Sequence, residues 1–255
     1  MPDFYTTFGP LRLQTFTLSL ALAVLASISM GVYRLSTRRS IIVDAYLGAL
    51  VLGVVGARAG HVLLAWEHFA YNTRDILRLY TGGLDWHGAL LGGLIGLVIV
   101  GRWRHTSVSW LLDALTPALP LLALAGWWGC LAANCGYGAE VDTLANYPVL
   151  IVAEMPDVYG ILAPRYNTPL FGLLLSTVTL ILVIVLLWRG WLGGRRFWLV
   201  MELLSMGMFG IGFVRGDFAL FVSGLRADQW LDLIALAASV LGFILAPRLE
   251  VQPDP

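Results

Sequence analysis

The sequence predicts an all-α polytopic membrane protein: seven transmembrane helices, the N-terminus outside, the C-terminus cytoplasmic, and a small extracytoplasmic cap. Three observations predict it. Of 255 residues, 58% are hydrophobic and only 13% charged, whereas a soluble domain carries roughly a quarter charged. Seven apolar stretches, 12–33, 41–66, 83–101, 108–131, 168–188, 197–214 and 229–246, come near the roughly 20 residues that a helix needs to cross a bilayer. Finally, all 16 basic residues are arginine, and the loops rich in them alternate along the chain.

Taken in order, the first stretch lacks a basic leader and is too long for a signal-peptide core, so it is expected to stay as a span. Arg34, Arg38 and Arg39 follow it, Arg102 and Arg104 follow the third stretch, Arg189, Arg195 and Arg196 the fifth, and Arg248 the seventh. The positive-inside rule puts these four connections in the cytoplasm. Arg74 and Arg78, in the polar connection 67–82, run against that pattern. Residues 132–167 contain Pro148, Pro156 and Pro164 among Glu140, Asp142, Glu154 and Asp157, and are expected to form the cap between spans four and five. Residues 1–250 are read as one membrane domain, without internal repeats or low-complexity tracts.

Ionisable groups within spans are costly and mark sites or pathways. Arg58 falls in the outer part of span two. His87 opens span three within "GGLDWHGALLGGLIG", residues 82–96, where Gly88, Gly92 and Gly96 recur every fourth position. Such small-xxx-small spacing lets helix backbones approach. Span four ends in "GWWGCLAANCGYG", residues 126–138, and Arg215 and Asp217 close span six. Four helices thus bring polar or small residues to the outer leaflet. Each also admits a plain structural role: Arg58 snorkelling to phosphates, His87 bonded to a carbonyl, Arg215 and Asp217 starting a solvated loop. Asp44, Asp113 and Glu202 lie toward cytoplasmic ends, where arginine or backbone partners are expected. Trp66, Trp86, Trp103 and Trp188 fall near span ends, as an aromatic belt requires.

Some functions are disfavoured. Zero net charge gives no broad attraction to nucleic acid. Two cysteines, Cys130 and Cys135, make neither a disulfide framework nor a complete zinc site. They are expected as free thiols, because a bridge across five residues requires the helix to unwind between them. Polar groups at one leaflet, instead of through the bilayer centre, disfavour a transporter.

The blocks "GARAGHVLL" (56–64), "GGLDWHGALLGG" (82–93), "DALTPALPLLALAGWWGCLAANCGYG" (113–138) and "APRYNTPLFGLLL" (163–175) follow one another as in the prolipoprotein diacylglyceryl transferase family, which the chain resembles from about residue 41 to residue 245. The resemblance implies a multi-pass protein of the bacterial plasma (inner) membrane. Its activity would be transfer of diacylglyceryl from phosphatidylglycerol, or a related phospholipid, to the lipobox cysteine of a preprolipoprotein signal peptide. The alternative is a non-catalytic homologue that binds lipid or signal peptide.

The resemblance places His87 at the family's histidine, Arg58 at the arginine of the second-span block, Gly138 at the glycine closing the fourth-span motif and Asp217 at the acidic residue near the end of span six. With His87 catalytic, Arg58, Arg215, Asp217, Asn134, Tyr137 and Gly138 are the expected lipid- and phosphate-binding set; no cofactor or metal is implied. Chemically, imidazole suits deprotonation of a thiol, and guanidinium suits a phosphate that gains charge. The sequence departs from the family at three places. Trp127 and Cys130 stand in the family's Gly-Arg-x-Gly-Asn, Cys135 stands for the glutamate of Asn-Gly-Glu, and Phe213 stands for an arginine four residues before Asp217. Arg215 replaces that arginine only if the helix is already unwinding there.

Overall fold

The computed structural model describes residues 5–8, 11–79 and 82–247; Arg248 lies outside them. The chain is mostly helical. Its long helices are α1 (Thr15–Arg34), α2 (Arg39–Leu64), α4 (Trp86–Trp103), α7 (Thr168–Arg189), α8 (Arg196–Gly212) and α9 (Ala227–Leu245). Between them lie the short α3 (Trp66–Tyr71) and the consecutive pair α5 (Val108–Leu115) and α6 (Ala118–Ala133). Among the described residues, five helices, α1, α2, α4, α7 and α9, are long and apolar enough to cross a membrane, and α5 with α6 makes a sixth if the bent pair is one span. Helix α8 has 17 residues, about 25 Å of rise.

The stretch 108–131, expected as one span, is two helices: α5 and α6 meet at 44°. The break falls at Pro117, which offers no N–H to the turn before it, while Thr116 and Pro117 both keep right-handed helical dihedrals. The buried Thr116 hydroxyl meanwhile donates to the Leu112 carbonyl at 3.0 Å.

The expectation of an all-α chain is corrected by three antiparallel two-stranded hairpins: β1 (Tyr5–Phe8) with β2 (Leu11–Gln14), β3 (Val152–Pro156) with β4 (Leu162–Tyr166), and β5 (Phe221–Val222) with β6 (Leu225–Arg226). All three lie at the bundle end where α1 and α9 begin and α8 finishes. The second forms the body of the cap. Its Pro164 carbonyl accepts from the Val141 N–H at 2.9 Å, which ties the cap to the chain leaving α6.

Helices pack here by shape, because lipid tails are as apolar as leucine and give no hydrophobic drive between helices. At the α2–α4 contact the backbones touch. A Cβ at Gly92 would sit 2.0 Å from the Leu52 carbonyl oxygen, and one at Gly56 2.3 Å from that of Gly88. An adjacent face of α4, about 100° round from the glycines, shows Leu91, Ile95 and Ile99 outward, four residues apart, as a lipid-facing stripe should. At the other end of the bundle, Arg196 Nη1 meets Asp113 Oδ2 at 2.7 Å and Arg104 Nε meets Asp44 Oδ2 at 3.3 Å. Both carboxylates therefore have the arginine partners expected from sequence.

Cys130 and Cys135 form a disulfide, with Cα atoms 4.6 Å apart. The expectation of free thiols is corrected. The reason is the condition foreseen for a bridge: α6 stops at Ala133 and Asn134 takes the left-handed conformation, φ 53°. That turn carries Cys135 back until its N–H donates to the Cys130 carbonyl at 3.0 Å.

Replacing Gly92 by Leu should cost about 1–3 kcal/mol through overpacking, read as a lowered Tm of the solubilised protein, while Leu91→Ala on the lipid face changes it little. Closing so short a loop restricts the unfolded chain by about 2 kcal/mol. Cys130→Ser with Cys135→Ser, or reduction of the native protein, should lower thermal stability by that order.

Candidate functional site

The site is built where α4 begins. The Asp85 N–H donates to the Ala57 carbonyl of α2 at 2.9 Å, and its carboxylate caps α4 by accepting from the Gly88 N–H at 2.6 Å. Asp85 is thereby fixed on both sides, and His87 projects from the first helical turn. The His87 Nε2 lies 3.0 Å from Asp232 Oδ1 on the second turn of α9, and Nδ1 lies 3.7 Å from Asp85 Oδ2. All three side chains are largely buried. The ring nitrogen facing Asp85 is buried with no hydrogen-bond partner.

One turn before Asp232 on α9 stands Asp228, part of a lattice of two arginines and two carboxylates. Arg215 bonds Asp217 through Nε at 2.8 Å and also through Nη2, and reaches Asp228 through Nη1 at 3.1 Å. The buried Arg226 joins the same pair, from Nε to Asp228 at 3.0 Å and from Nη2 to Asp217 at 3.2 Å. Burial works against the charge on Arg215, but the hydrogen bond to Asp217 and the charges of Asp217, Asp228 and Asp232 outweigh it and hold its pKa above the ordinary arginine value. Each terminal nitrogen of Arg215 keeps one N–H outside the lattice.

Helix α8 has ended at Gly212, so the unwinding that Arg215 needs does occur. Beyond it the Gly216 N–H donates to the Tyr137 carbonyl and the Ala139 N–H to that of Val214, both at 2.8 Å. Gly138 pairs with Arg215 across this bridge. It has no room for a side chain, since a Cβ would lie 2.1 Å from the Tyr166 carbonyl oxygen. Gly138 thus sets the backbone that carries Arg215.

The other expected residues divide. Tyr137 is beneath the Arg165 guanidinium, 5.1 Å from the ring centroid. Burial, then the Asp157 and Asp217 carboxylates, raise its phenol above the ordinary value, so it stays protonated at neutral pH. Asn134 caps α6 in its left-handed conformation. Trp127 is buried in a slot opened by Gly172 of α7, where a Cβ would come within 2.1 Å of the indole.

Arg58 bonds the 75–83 connection and not His87. Its Nε donates to the Ile76 carbonyl, Nη1 to those of Gly82 and Gly83, and Nη2 to those of Asp75 and Arg78. All five guanidinium N–H groups are committed, and the expected phosphate contact has no donor left in this arrangement. Arg58 instead pins the 75–83 connection, beside a cavity of about 380 Å³ shared with His61, His68 and Phe69. His87 does not line that cavity.

Sequence reasoning passed over Asp85, Asp232, Arg226 and Asp228. A signal for Asp232 existed: it is a carboxylate inside the seventh apolar stretch, four residues after Asp228, so both share a helix face.

The model of the family described as prolipoprotein diacylglyceryl transferase matches residues 3–245. A phosphatidylglycerol–prolipoprotein diacylglyceryl transferase of Dehalococcoides mccartyi is 32% identical over 256 residues, 97% of this chain and 95% of the relative. Proteins of the same name from Synechococcus elongatus and Listeria welshimeri are 30% and 26% identical, covering 92% and 96% of this chain and 84% and 89% of theirs. With the match running through both α4 and α9, which carry His87 and Asp232, the chain belongs to the prolipoprotein diacylglyceryl transferase family.

Proposed function

We propose that this chain is a phosphatidylglycerol–prolipoprotein diacylglyceryl transferase of the bacterial plasma membrane. It crosses the bilayer seven times with its N-terminus outside, α8 being one span and the α5–α6 pair another. It moves diacylglyceryl from phosphatidylglycerol to the lipobox cysteine of a preprolipoprotein signal peptide at the outer leaflet. The single observation that carries the mechanism is the orphaned ring nitrogen of His87. A buried nitrogen without a partner is a cost that ordinary packing removes, and here its environment suits a base.

If Nε2–H donates to Asp232, the lone pair is on Nδ1. That nitrogen takes the proton of the acceptor thiol, and the Asp85 carboxylate at 3.7 Å stabilises the imidazolium formed. The thiolate sulfur then attacks the glyceryl carbon esterified to phosphate. A C–S bond forms, the C–O bond breaks, and glycerol phosphate leaves with the electron pair. Arg215, whose free N–H groups lie outside its lattice, meets that developing charge. Asp217, Asp228 and Arg226 hold Arg215, while Gly138 and Tyr137 hold the backbone on either side of it. Arg58 positions the connection before Asp85 and does not touch the phosphate.

A second reading rests on one observation. Trp127 and the Cys130–Cys135 disulfide fill places where the family motif has an arginine, an asparagine and a glutamate, which favours a non-catalytic homologue that binds lipid or signal peptide. Complementation of a cell depleted of its own transferase separates the two: rescue supports the enzyme, and failure with normal membrane expression supports the binder.

On the enzyme reading, His87→Ala and Asp232→Asn should each lower kcat by roughly 10²–10⁴-fold without loss of fold, the second through the wrong tautomer. Transfer to a lipobox peptide in nanodiscs, beside a thermal melt, checks this. Unaltered turnover in Asp232→Asn would remove the dyad from the mechanism.

Arg58→Lys should lower the melting temperature together with activity, because three ammonium donors cannot serve five carbonyls. A raised KM for phosphatidylglycerol at unchanged stability would instead return Arg58 to the phosphate.

A further inference from the structure

Between Asp217 and Arg226 the sequence reads "FALFVSGL", residues 218–225, without one charged side chain. Connections on a water-facing surface are built from polar turn residues. Here the chain forms a tight hairpin, β5 and β6, turned by Ser223 and Gly224, both at positive φ, 49° and 81°. That pair of left-handed residues is the two-residue turn whose twist matches a hairpin.

The hairpin is bonded at its foot and, beside its turn, to α9. The Ala227 N–H donates to the Leu220 carbonyl at 2.7 Å, Arg226 Nη1 to the Asp217 carbonyl at 3.0 Å and Trp230 Nε1 to the Val222 carbonyl at 2.9 Å. So anchored, it presents its apolar side chains outward: Phe218 is 89% exposed, Phe221 64%, Leu220 51% and Val222 47%. An apolar patch of this kind, rimmed by the Arg215–Asp217–Arg226–Asp228 lattice, marks an interaction surface.

We infer that hairpin 218–225 is a membrane-inserting element, seated among the lipids of the outer leaflet at the headgroup–acyl boundary. The occupant follows from continuity. Phe213 at the end of α8 and Trp230 in the first turn of α9 are themselves exposed, and they extend the patch onto the lipid-facing sides of two spans. Aromatic side chains collect at that depth, and interfacial elements sink about 5–10 Å into it. The hairpin leaves and rejoins the bundle through residues of the lattice, so its seating sets the height of Arg215 against the donor headgroups. The inference rests on α8 and α9 crossing the bilayer as proposed above, and the experiment separates the two.

Cys130 and Cys135 are the only cysteines of the chain and are bonded to each other, so an introduced cysteine takes a thiol-directed bimane alone. Phe221→Cys, Phe218→Cys and, as a control in the middle of α9, Ile234→Cys are labelled in phosphatidylglycerol nanodiscs without reducing agent. Quenching is read with lipid carrying a doxyl group near the headgroup or at mid-chain, and with aqueous iodide. The expected result is about twofold or greater quenching of the hairpin labels by the shallow doxyl lipid and little by iodide, with Ile234 quenched by the deep one. Iodide quenching of both hairpin labels, with Ile234 still quenched by deep lipid, overturns the inference and leaves the spans intact. Protection from both quenchers means that protein covers the patch, and also overturns it. Loss of lipid quenching at Ile234 instead removes the span on which the inference rests.

Discussion

The polar groups that hold the helix bundle together answer to one constraint: inside a bilayer a charged or hydrogen-bonding group must find its partner within the chain, since lipid offers none. Arg58 meets it with five carbonyls, Arg196 with Asp113, and Arg215 and Arg226 with two shared aspartates. The same constraint makes the glycine contact of α2 and α4 consequential. Because those backbones touch, the N–H of Asp85 reaches the carbonyl of Ala57, and Asp85 in turn starts α4 with His87 on its first turn. A loss of fit between the two helices is therefore felt at the imidazole.

Against that background, a nitrogen left without a partner carries information. His87 has one nitrogen served by Asp232 and one that is not. Its neighbour Asp85 is too far for a hydrogen bond yet near enough to favour a proton arriving there. On the proposed mechanism the two carboxylates divide the work: Asp232 on α9 orients the ring, and Asp85 at the cap of α4 rewards its protonation.

The long helices were legible because an apolar stretch near 20 residues has few alternatives. Glycines every fourth residue announced close helix packing, though not that α2 and α4 are the pair, and Pro117 carried the sign of a break that a count of apolar residues smooths over. The hairpins were not legible, since strands of two to five residues leave almost no alternating pattern to read. His87, Arg215 and Asp217 were visible as polar residues at span ends. Asp232 was hidden within an apolar stretch, and the disulfide depended on Asn134 adopting a left-handed backbone. Arg58 shows the deepest limit. Sequence reveals that a guanidinium is present, but which acceptors take its N–H groups is decided by a loop some 17 to 25 residues further on.

The replacements along α6 and the lattice between α8 and α9 make sense together. With Trp127 sunk in its slot beside Gly172 and a disulfide closing the helix end, α6 presents no cation to a phosphate. On the proposed reading the phosphate meets Arg215 instead, which is tied to Asp228, one α-helical turn, about 6 Å of rise, from Asp232. A phosphate held there would lie about one turn from the imidazole. That offset matches the chemistry: the carbon under attack is bonded to the phosphate oxygen, and the sulfur approaches from the side away from it. The lattice is electrically balanced, so it offers directed hydrogen bonds more than bulk positive charge. On the proposed reading, such a site discriminates by where a headgroup places its oxygens.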